Sequence, residues 1–358
     1  SFIEALSILS KSSPFAVSTE KSDHSDILLD QIKEYLYIEM PIEERVNSII
    51  SSLGSNDKKI VFLCGSSGDG KSEILTRCKK KFDSRVKFHL DATHSFAPHE
   101  NAIQTLDREI KNYQLGDSPL VVGINTGMLG NYAEEGADES VKENIRAYLN
   151  RESHADNVIF INFEDYPKFL IGEDGYHADF PEKLLNRITQ QSDNILRQLY
   201  DRDKEHLEDS VSKRLFANYE LLGLPSVQSV IIDLLFKARL MRDQFLTARA
   251  LLDFIFGLLA GPGYLFDNLF AGGDNELAEK IVEFDPANLR TKQIDRFILA
   301  FELKLTDEEF SVFKDSIVQM GIKRVSKAHS FLRLFYLLRD GYYGNNYHKK
   351  FEQDFSES

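Results

Sequence analysis

The stretch Gly65-Ser66-Ser67-Gly68-Asp69-Gly70-Lys71-Ser72 places a glycine, four further residues and then Gly-Lys-Ser in a row. That is the spacing of a phosphate-binding loop. Glycines at 65, 68 and 70 let a backbone curl until its N–H groups face an anion. Lys71 would reach the β and γ phosphates of a nucleotide, and the Ser72 hydroxyl would coordinate Mg²⁺. The pattern alone arises by chance, but its surroundings give it weight. The apolar run Ile60–Cys64 directly precedes it, and a helix-like stretch with Ile74, Leu75 and Cys78 on one face follows. A strand, a glycine turn and a helix N-terminus in that order bring the helix dipole onto the phosphates. The plain alternative is a Gly/Ser-rich strand-to-helix turn. The residues read as a nucleotide site formed by Gly65, Ser66, Ser67, Gly68, Asp69, Gly70, Lys71 and Ser72, with ATP and Mg²⁺ as the expected ligands.

Hydrolysis needs an acid at a neighbouring strand end, to hold Mg²⁺ or polarise water. Order and spacing put that acid on the third apolar run, Leu120-Val121-Val122-Gly123-Ile124-Asn125-Thr126, where an amide stands instead. Asn125 has the character of the polar sensor that AAA-type ATPases aim at the γ-phosphate. Other strand-end acids are Asp91, in His89-Leu90-Asp91-Ala92-Thr93-His94, and the pair Glu164-Asp165 after Val158–Phe163. Asp91 is the metal-side candidate, and Glu164 and Asp165 are candidates for the catalytic charge. The bland reading for each is an N-cap or turn residue. The acid therefore stays open among them, and so does a chain that binds nucleotide without turning it over.

A second constellation is Leu246-Thr247-Ala248-Arg249-Ala250-Leu251-Leu252-Asp253-Phe254. Thr247 suits a helix cap, and Arg249 opens an otherwise apolar helix. AAA-type proteins use an arginine in such a lid helix to touch the γ-phosphate, which couples nucleotide state to lid position. The competing reading is a surface arginine offsetting Asp253 at i+4. Arg239 and Arg242 compete for the same role. His89, His94 and His99 recur at five-residue intervals, but no cysteine or second histidine cluster completes four ligands, so they read as incidental. No Gly-x-Ser-x-Gly elbow anchors a nucleophilic triad.

The elements that must hold these residues follow from periodicity. Four short apolar runs rich in β-branched residues, Ile60–Cys64, Val86–Leu90, Leu120–Ile124 and Val158–Phe163, read as buried parallel strands. Helical stretches at Lys71–Phe82, Asn101–Asn112 and Ser140–Asn150 separate them. This alternation predicts an α/β fold with a parallel sheet and right-handed crossovers, a P-loop NTPase module. Residues 1–30, with Pro14, read as an irregular arm, and Asp30–Leu53 as two helices parted at Pro41. After Tyr166 the pattern turns helical, with breaks at Gly261-Pro262-Gly263 and Gly272-Gly273. The expected organisation is an N-terminal arm with helices over 1–55, a nucleotide-binding α/β domain over 56–180, and a helical lid and C-terminal helical domain over 181–358.

Composition sets the outer limits. Among 358 residues, 42% are hydrophobic and 28% charged, which excludes wholesale disorder. No apolar run approaches the ~18 residues that span a bilayer, so no membrane partner is expected. Two cysteines make no disulfide framework and no tract resembles a secretory signal, which points to the cytoplasm. The net charge of −14 repels nucleic acid on average. From Lys323 to Lys350, however, seven cations face only Asp340, with tyrosines and phenylalanines interleaved. That basic segment reads either as a DNA-contacting patch or, more plainly, as a helix with a solvated basic face.

Several segments together resemble one family. They are Ala5-Leu6-Ser7-Ile8-Leu9-Ser10-Lys11-Ser12-Ser13-Pro14-Phe15-Ala16-Val17, the loop Gly65–Ser72 continuing Glu73-Ile74-Leu75, the His89–Phe96 stretch, and Ile161-Asn162-Phe163-Glu164-Asp165-Tyr166. They resemble the DptF family, the F subunits of the bacterial DNA phosphorothioation-dependent restriction systems. The resemblance covers most of residues 1–255, and within it the loop is diagnostic of nucleotide binding alone. It implies an ATPase role on Gly65, Gly70, Lys71 and Ser72 in antiviral defence, with the G and H subunits as partners. DNA engagement would run through the complex or through residues 323–350. Two rival expectations are a small-molecule P-loop kinase holding its acceptor near Asp91, and an ATP-bound scaffold or switch without turnover.

Overall fold

In the computed structural model, the described residues are 1–10, 27–82, 84–93, 100–172, 175–206, 210–241, 246–339 and 345–356. Four strands form the expected parallel sheet: β1 (Ile60–Gly65), β2 (Lys87–His89), β3 (Leu120–Asn125) and β4 (Val158–Asn162). Their order is β2-β3-β1-β4. Every residue of β1 is buried, as a strand covered on both faces requires. On one face Val61, Leu63, Val121 and Ile161 pack against Ile42, Val46 and Ile50 of helix Pro41–Ser52 and against Ile74, Leu75 and Cys78 of helix Lys71–Phe82. On the other, Phe62, Cys64, Val122 and Ile124 pack against helices Ala102–Leu115, Thr126–Glu135 and Glu139–Leu149. The result is a three-layer α/β unit. Each fully buried Leu or Ile in these layers is worth about 1.5–3 kcal/mol of transfer free energy.

Connections leave β1 and β3 in opposite directions. From β1 the chain crosses past β3 to β2, whereas from β3 it crosses past β1 to β4. A crevice therefore opens between the carboxyl ends of β1 and β3, where Gly65 and Asn125 are register partners.

The remainder is mostly helical, with a core of its own built from helices that include Asp179–Thr189, Ile195–Lys204, Pro225–Met241, Ala248–Ala260 and Ala328–Leu337. A short antiparallel hairpin, β5 (Leu170–Gly172) with β6 (Gly175–His177), is an element that periodicity did not reveal. Nor did it reveal helix Thr126–Glu135. The expectation of an irregular arm over 1–30 is corrected at its start. Phe2–Leu6 is a helix, because Phe2 buries its ring among Tyr200, Phe216 and Tyr219 at 5.0–5.5 Å between centroids. Pro14 and the rest of that arm, 11–26, lie outside the described residues. The predicted break at Pro41 is where helix Pro41–Ser52 begins, with proline in its first turn. Residues 1–10 and helix Ile27–Leu36 join the helical core, whereas Pro41–Ser52 joins the sheet. Among the described residues, no single helix is long and apolar enough to cross a membrane.

Candidate functional site

The loop between β1 and helix Lys71–Phe82 has the backbone its glycines permit. Gly68 and Gly70 lie at φ +84° and +99°, a region that side-chain-bearing residues rarely adopt. The amide of Ile74 donates to the Gly70 carbonyl at 3.1 Å, so the helix starts at the last glycine. Gly65 meets a different demand. A Cβ there would stand 2.9 Å from the Asp69 carboxylate and 2.9 Å from the Phe163 ring. The loop thus sits at the mouth of the crevice between β1 and β3, with a helix N-terminus aimed into it.

Lys71 turns back along the loop. Its Nζ donates to the carbonyls of Gly65 at 3.2 Å and Ser66 at 2.6 Å. Burial pushes its pKa down, while the nearby carboxylates of Asp69 and Asp91 favour the charged form. Ser66 and Ser67 are exposed at the rim, and Ser72 is half-buried in the first helical turn. The Asp69 side chain lies inside the loop, where its Oδ2 accepts from the Ser66 amide at 2.6 Å.

Asp91 reaches the site across a glycine. A Cβ on Gly123 would stand 2.5 Å from the Leu90 carbonyl, so only glycine lets the segment after β2 lie against β3. The Ala92 amide donates to the Gly123 carbonyl at 2.8 Å, which fixes that segment. Asp91 Oδ1 accepts from the Thr93 amide at 2.9 Å and from its hydroxyl at 2.5 Å, a turn arrangement that coexists with its influence on Lys71. Asn125 ends β3 beside Gly65, and its Oδ1 caps helix Thr126–Glu135 by accepting from the Met128 amide at 2.6 Å. Glu164 and Asp165 follow β4, on the other side of β1 from Asn125, and both are exposed. The structure therefore brings Asp69 and Asp91 near Lys71 and Asn125 beside Gly65, with Glu164 and Asp165 on the β4 side of β1, next to Phe163.

Arg249 closes the site from the helical side. Thr247 caps helix Ala248–Ala260 through the Ala250 amide at 3.1 Å. The Arg249 amide donates to the Gly68 carbonyl at 3.2 Å. Its guanidinium points elsewhere and donates to the Ser10 carbonyl. Burial pushes this arginine's pKa down, against the favourable field of Asp253. Arg239 lies near the end of helix Pro225–Met241, and Arg242 lies outside the described residues, as do His94 and His99.

Two contributors carry no signal in the sequence. Lys168, on the segment leaving β4, pairs with Asp69 at 3.3 Å. Arg77 anchors the loop's helix to helix Ile27–Leu36, donating to both Glu34 oxygens at 2.9 and 2.7 Å and to Glu73 at 3.0 Å. Its guanidinium lies 3.4 Å over the Tyr37 ring. The Glu73–Arg77 pair is an i,i+4 helix neighbour, but only the tertiary fold joins Lys168 to Asp69 and Arg77 to Glu34 and Tyr37, so spacing along the chain could not have found those.

Beside the loop lies a cleft of about 190 Å³, lined by Met40, Phe163, Tyr166, Lys168 and Phe180 among others. Met40 adjoins Gly70, with its methyl 3.6 Å from where a Cβ would be. Among the described residues, no three His, Cys, Asp or Glu side chains converge as a metal cluster. A Mg²⁺ held through one or two protein ligands and phosphate oxygens does not need one. In the basic segment, Arg333, Arg339 and Lys350 are each paired with acids, and Phe331, Phe335, Tyr336 and Tyr347 are buried. No family model, curated protein or solved structure matches this chain.

Proposed function

We propose that this chain is an ATP-binding and ATP-hydrolysing subunit with a P-loop NTPase arrangement, its helical part serving as a lid. The observation that carries the reading is the glycine loop at the β1/β3 crevice, with left-handed backbone at Gly68 and Gly70 and a helix N-terminus behind it. Lys71 would exchange the carbonyls of Gly65 and Ser66 for the β and γ phosphates, neutralising charge that grows during transfer. Ser72 and Asp91 would hold Mg²⁺, which when bound would offset phosphate charge. The Asn125 amide, beside Gly65, would orient the attacking water. Glu164 and Asp165 would supply the catalytic charge from the β4 side of β1. The apolar cleft at Met40, Phe163 and Tyr166 suits a nucleobase, one step along the loop from the phosphates.

The biological setting rests on the resemblance of residues 5–17, 65–75, 89–96 and 161–166 to the DptF family. It places the chain in a DNA phosphorothioation-dependent restriction complex with G and H subunits, in the bacterial cytoplasm. The −14 net charge argues that DNA contact comes through partners or through the cations of 323–350. A switch that keeps ATP without turnover is the second reading, favoured by the amide at the end of β3. Calorimetry with Mg·ATP tests the site: Lys71→Ala should abolish binding, and an unchanged affinity would reject it. Phosphate release, measured alone and then with modified and unmodified duplex DNA, separates an ATPase from a silent switch. Recovery of a phosphorylated acceptor in place of free phosphate would indicate a kinase.

A further inference from the structure

Asp69 is an unexpected residue to bury in a phosphate cradle. It is 8% exposed, and its two oxygens accept from the Ser66 amide at 2.6 Å and from Lys168 Nζ at 3.3 Å. The side chains of Asp69 and Lys168 are each 10% exposed, so solvent screens their charges weakly. A bare carboxylate here would repel the phosphates the loop is built to receive. Lys168 stands on the segment leaving β4, 5.8 Å over the Phe163 ring, and borders the cleft. It therefore reaches the loop from the side opposite Asp91 and Asn125.

We propose that Lys168 is a positioning residue of the nucleotide site. It neutralises Asp69 and holds it against Ser66, so the loop keeps its shape without presenting negative charge to a polyphosphate. The proposal rests on the nucleotide reading of the loop. It adds that discrimination among nucleoside mono-, di- and triphosphates depends partly on a cation outside the glycine motif.

The test is a set of calorimetric titrations with AMP, ADP and ATP on the full chain. Lys168→Met should weaken ADP about tenfold and ATP by more, because it leaves Asp69 to draw on Lys71, the cation the phosphates need. Asp69→Asn still offers an oxygen to the Ser66 amide and sets the reference affinity of a loop without the buried charge. The double variant Asp69→Asn/Lys168→Met should bind ATP to within about threefold of Asp69→Asn, since without the carboxylate Lys168 has no charge to offset. That comparison also stands if Lys168→Met alone fails to fold. A brace with no electrostatic role would weaken AMP, ADP and ATP equally. That result, an unchanged Lys168→Met, or a double variant still impaired relative to Asp69→Asn would overturn the proposal. If Lys71→Ala binds ATP normally, the nucleotide reading fails instead.

Discussion

The amide of Arg249 donates to the carbonyl of Gly68 at 3.2 Å, so a helix from the helical part rests its first turn on the glycine loop. The same arginine's guanidinium holds the Ser10 carbonyl. One residue thus links the loop, the helical part and the N-terminal segment. Any ligand that reshapes the loop at Gly68 would act on all three, which is what the proposed lid would need.

Gly68 should tolerate no side chain. Its φ of +84° disfavours one, and an added Cβ would meet Arg249 Cβ at 3.0 Å and Thr247 Oγ1 at 3.3 Å. The left-handed backbone alone costs about 1–2 kcal/mol. Gly68→Ala should therefore lower thermal stability and weaken ATP binding together. Gly130→Ala is the control, because that glycine lies within helix Thr126–Glu135 with nothing within 4 Å of an added Cβ. It should raise stability by roughly 0.5–1 kcal/mol. An unchanged melt and affinity for Gly68→Ala would show that the loop and the helix are not coupled there.

Asn125 has two roles that substitutions can separate. As a cap it accepts from the Met128 amide at 2.6 Å, and losing that bond costs about 0.5–2 kcal/mol. As the proposed sensor it offers an amide beside the loop. Asn125→Ala should lose both stability and turnover. Asn125→Ser keeps a capping oxygen but no amide, so it should melt like wild type while releasing phosphate slowly. If Asn125→Ser turns over normally at saturating ATP, the sensor role is wrong.

How much of this was legible in the sequence follows from range. The four strands and helix Lys71–Phe82 were readable because buried parallel strands and a glycine loop are written in consecutive residues. Helix Thr126–Glu135 hid behind Gly127 and Gly130, which mask its periodicity. The Phe2–Leu6 helix hid because its stability comes from Tyr200, Phe216 and Tyr219, far along the chain. The same reason hid Lys168 and the reach of Arg77 to Glu34 and Tyr37. Asn125, by contrast, was placed beside the loop by strand order, and the register Gly65 to Asn125 puts it there.

Both cysteines predict an alkaline loss of stability. Burial pushes the Cys64 thiol up to about 12 and the Cys78 thiol up to about 11, from an ordinary 9.0. Between pH 9 and 11 the unfolded thiols lose protons that the folded ones keep. The folded state then binds more protons, so its stability is full below pH 9 and falls as pH rises, by about 1.4 kcal/mol per pH unit per thiol. Burial also raises the pKa of Tyr132, Tyr200 and Tyr219, which adds a fall in the same direction at higher pH. The informative measurement is therefore the difference between wild type and Cys64→Ala in urea melts across this range. The variant should show the shallower fall, and parallel curves would contradict the buried-thiol account. Neither thiol should react with a disulfide reagent at pH 8 until the protein is unfolded.

Arg333 decides what the basic segment can do. Its guanidinium donates to Asp285 at 3.1 and 2.7 Å and to Asp267 at 2.9 Å, and Asp285 is only 5% exposed. Arg333→Met would strand a buried carboxylate and should cost about 3–5 kcal/mol in a urea titration. Among the described residues, Lys323, Arg324, Lys327 and Lys349 form no ion pair. Neutralising Lys323 or Lys327 should change stability by less than about 0.5 kcal/mol. The two groups should therefore separate cleanly. If duplex DNA binds this chain through the segment, Lys323→Ala with Lys327→Ala should weaken it and flatten its salt dependence by about one counterion per lysine, with folding intact. A duplex affinity unchanged in that variant would leave the segment's cations to structure and solvation.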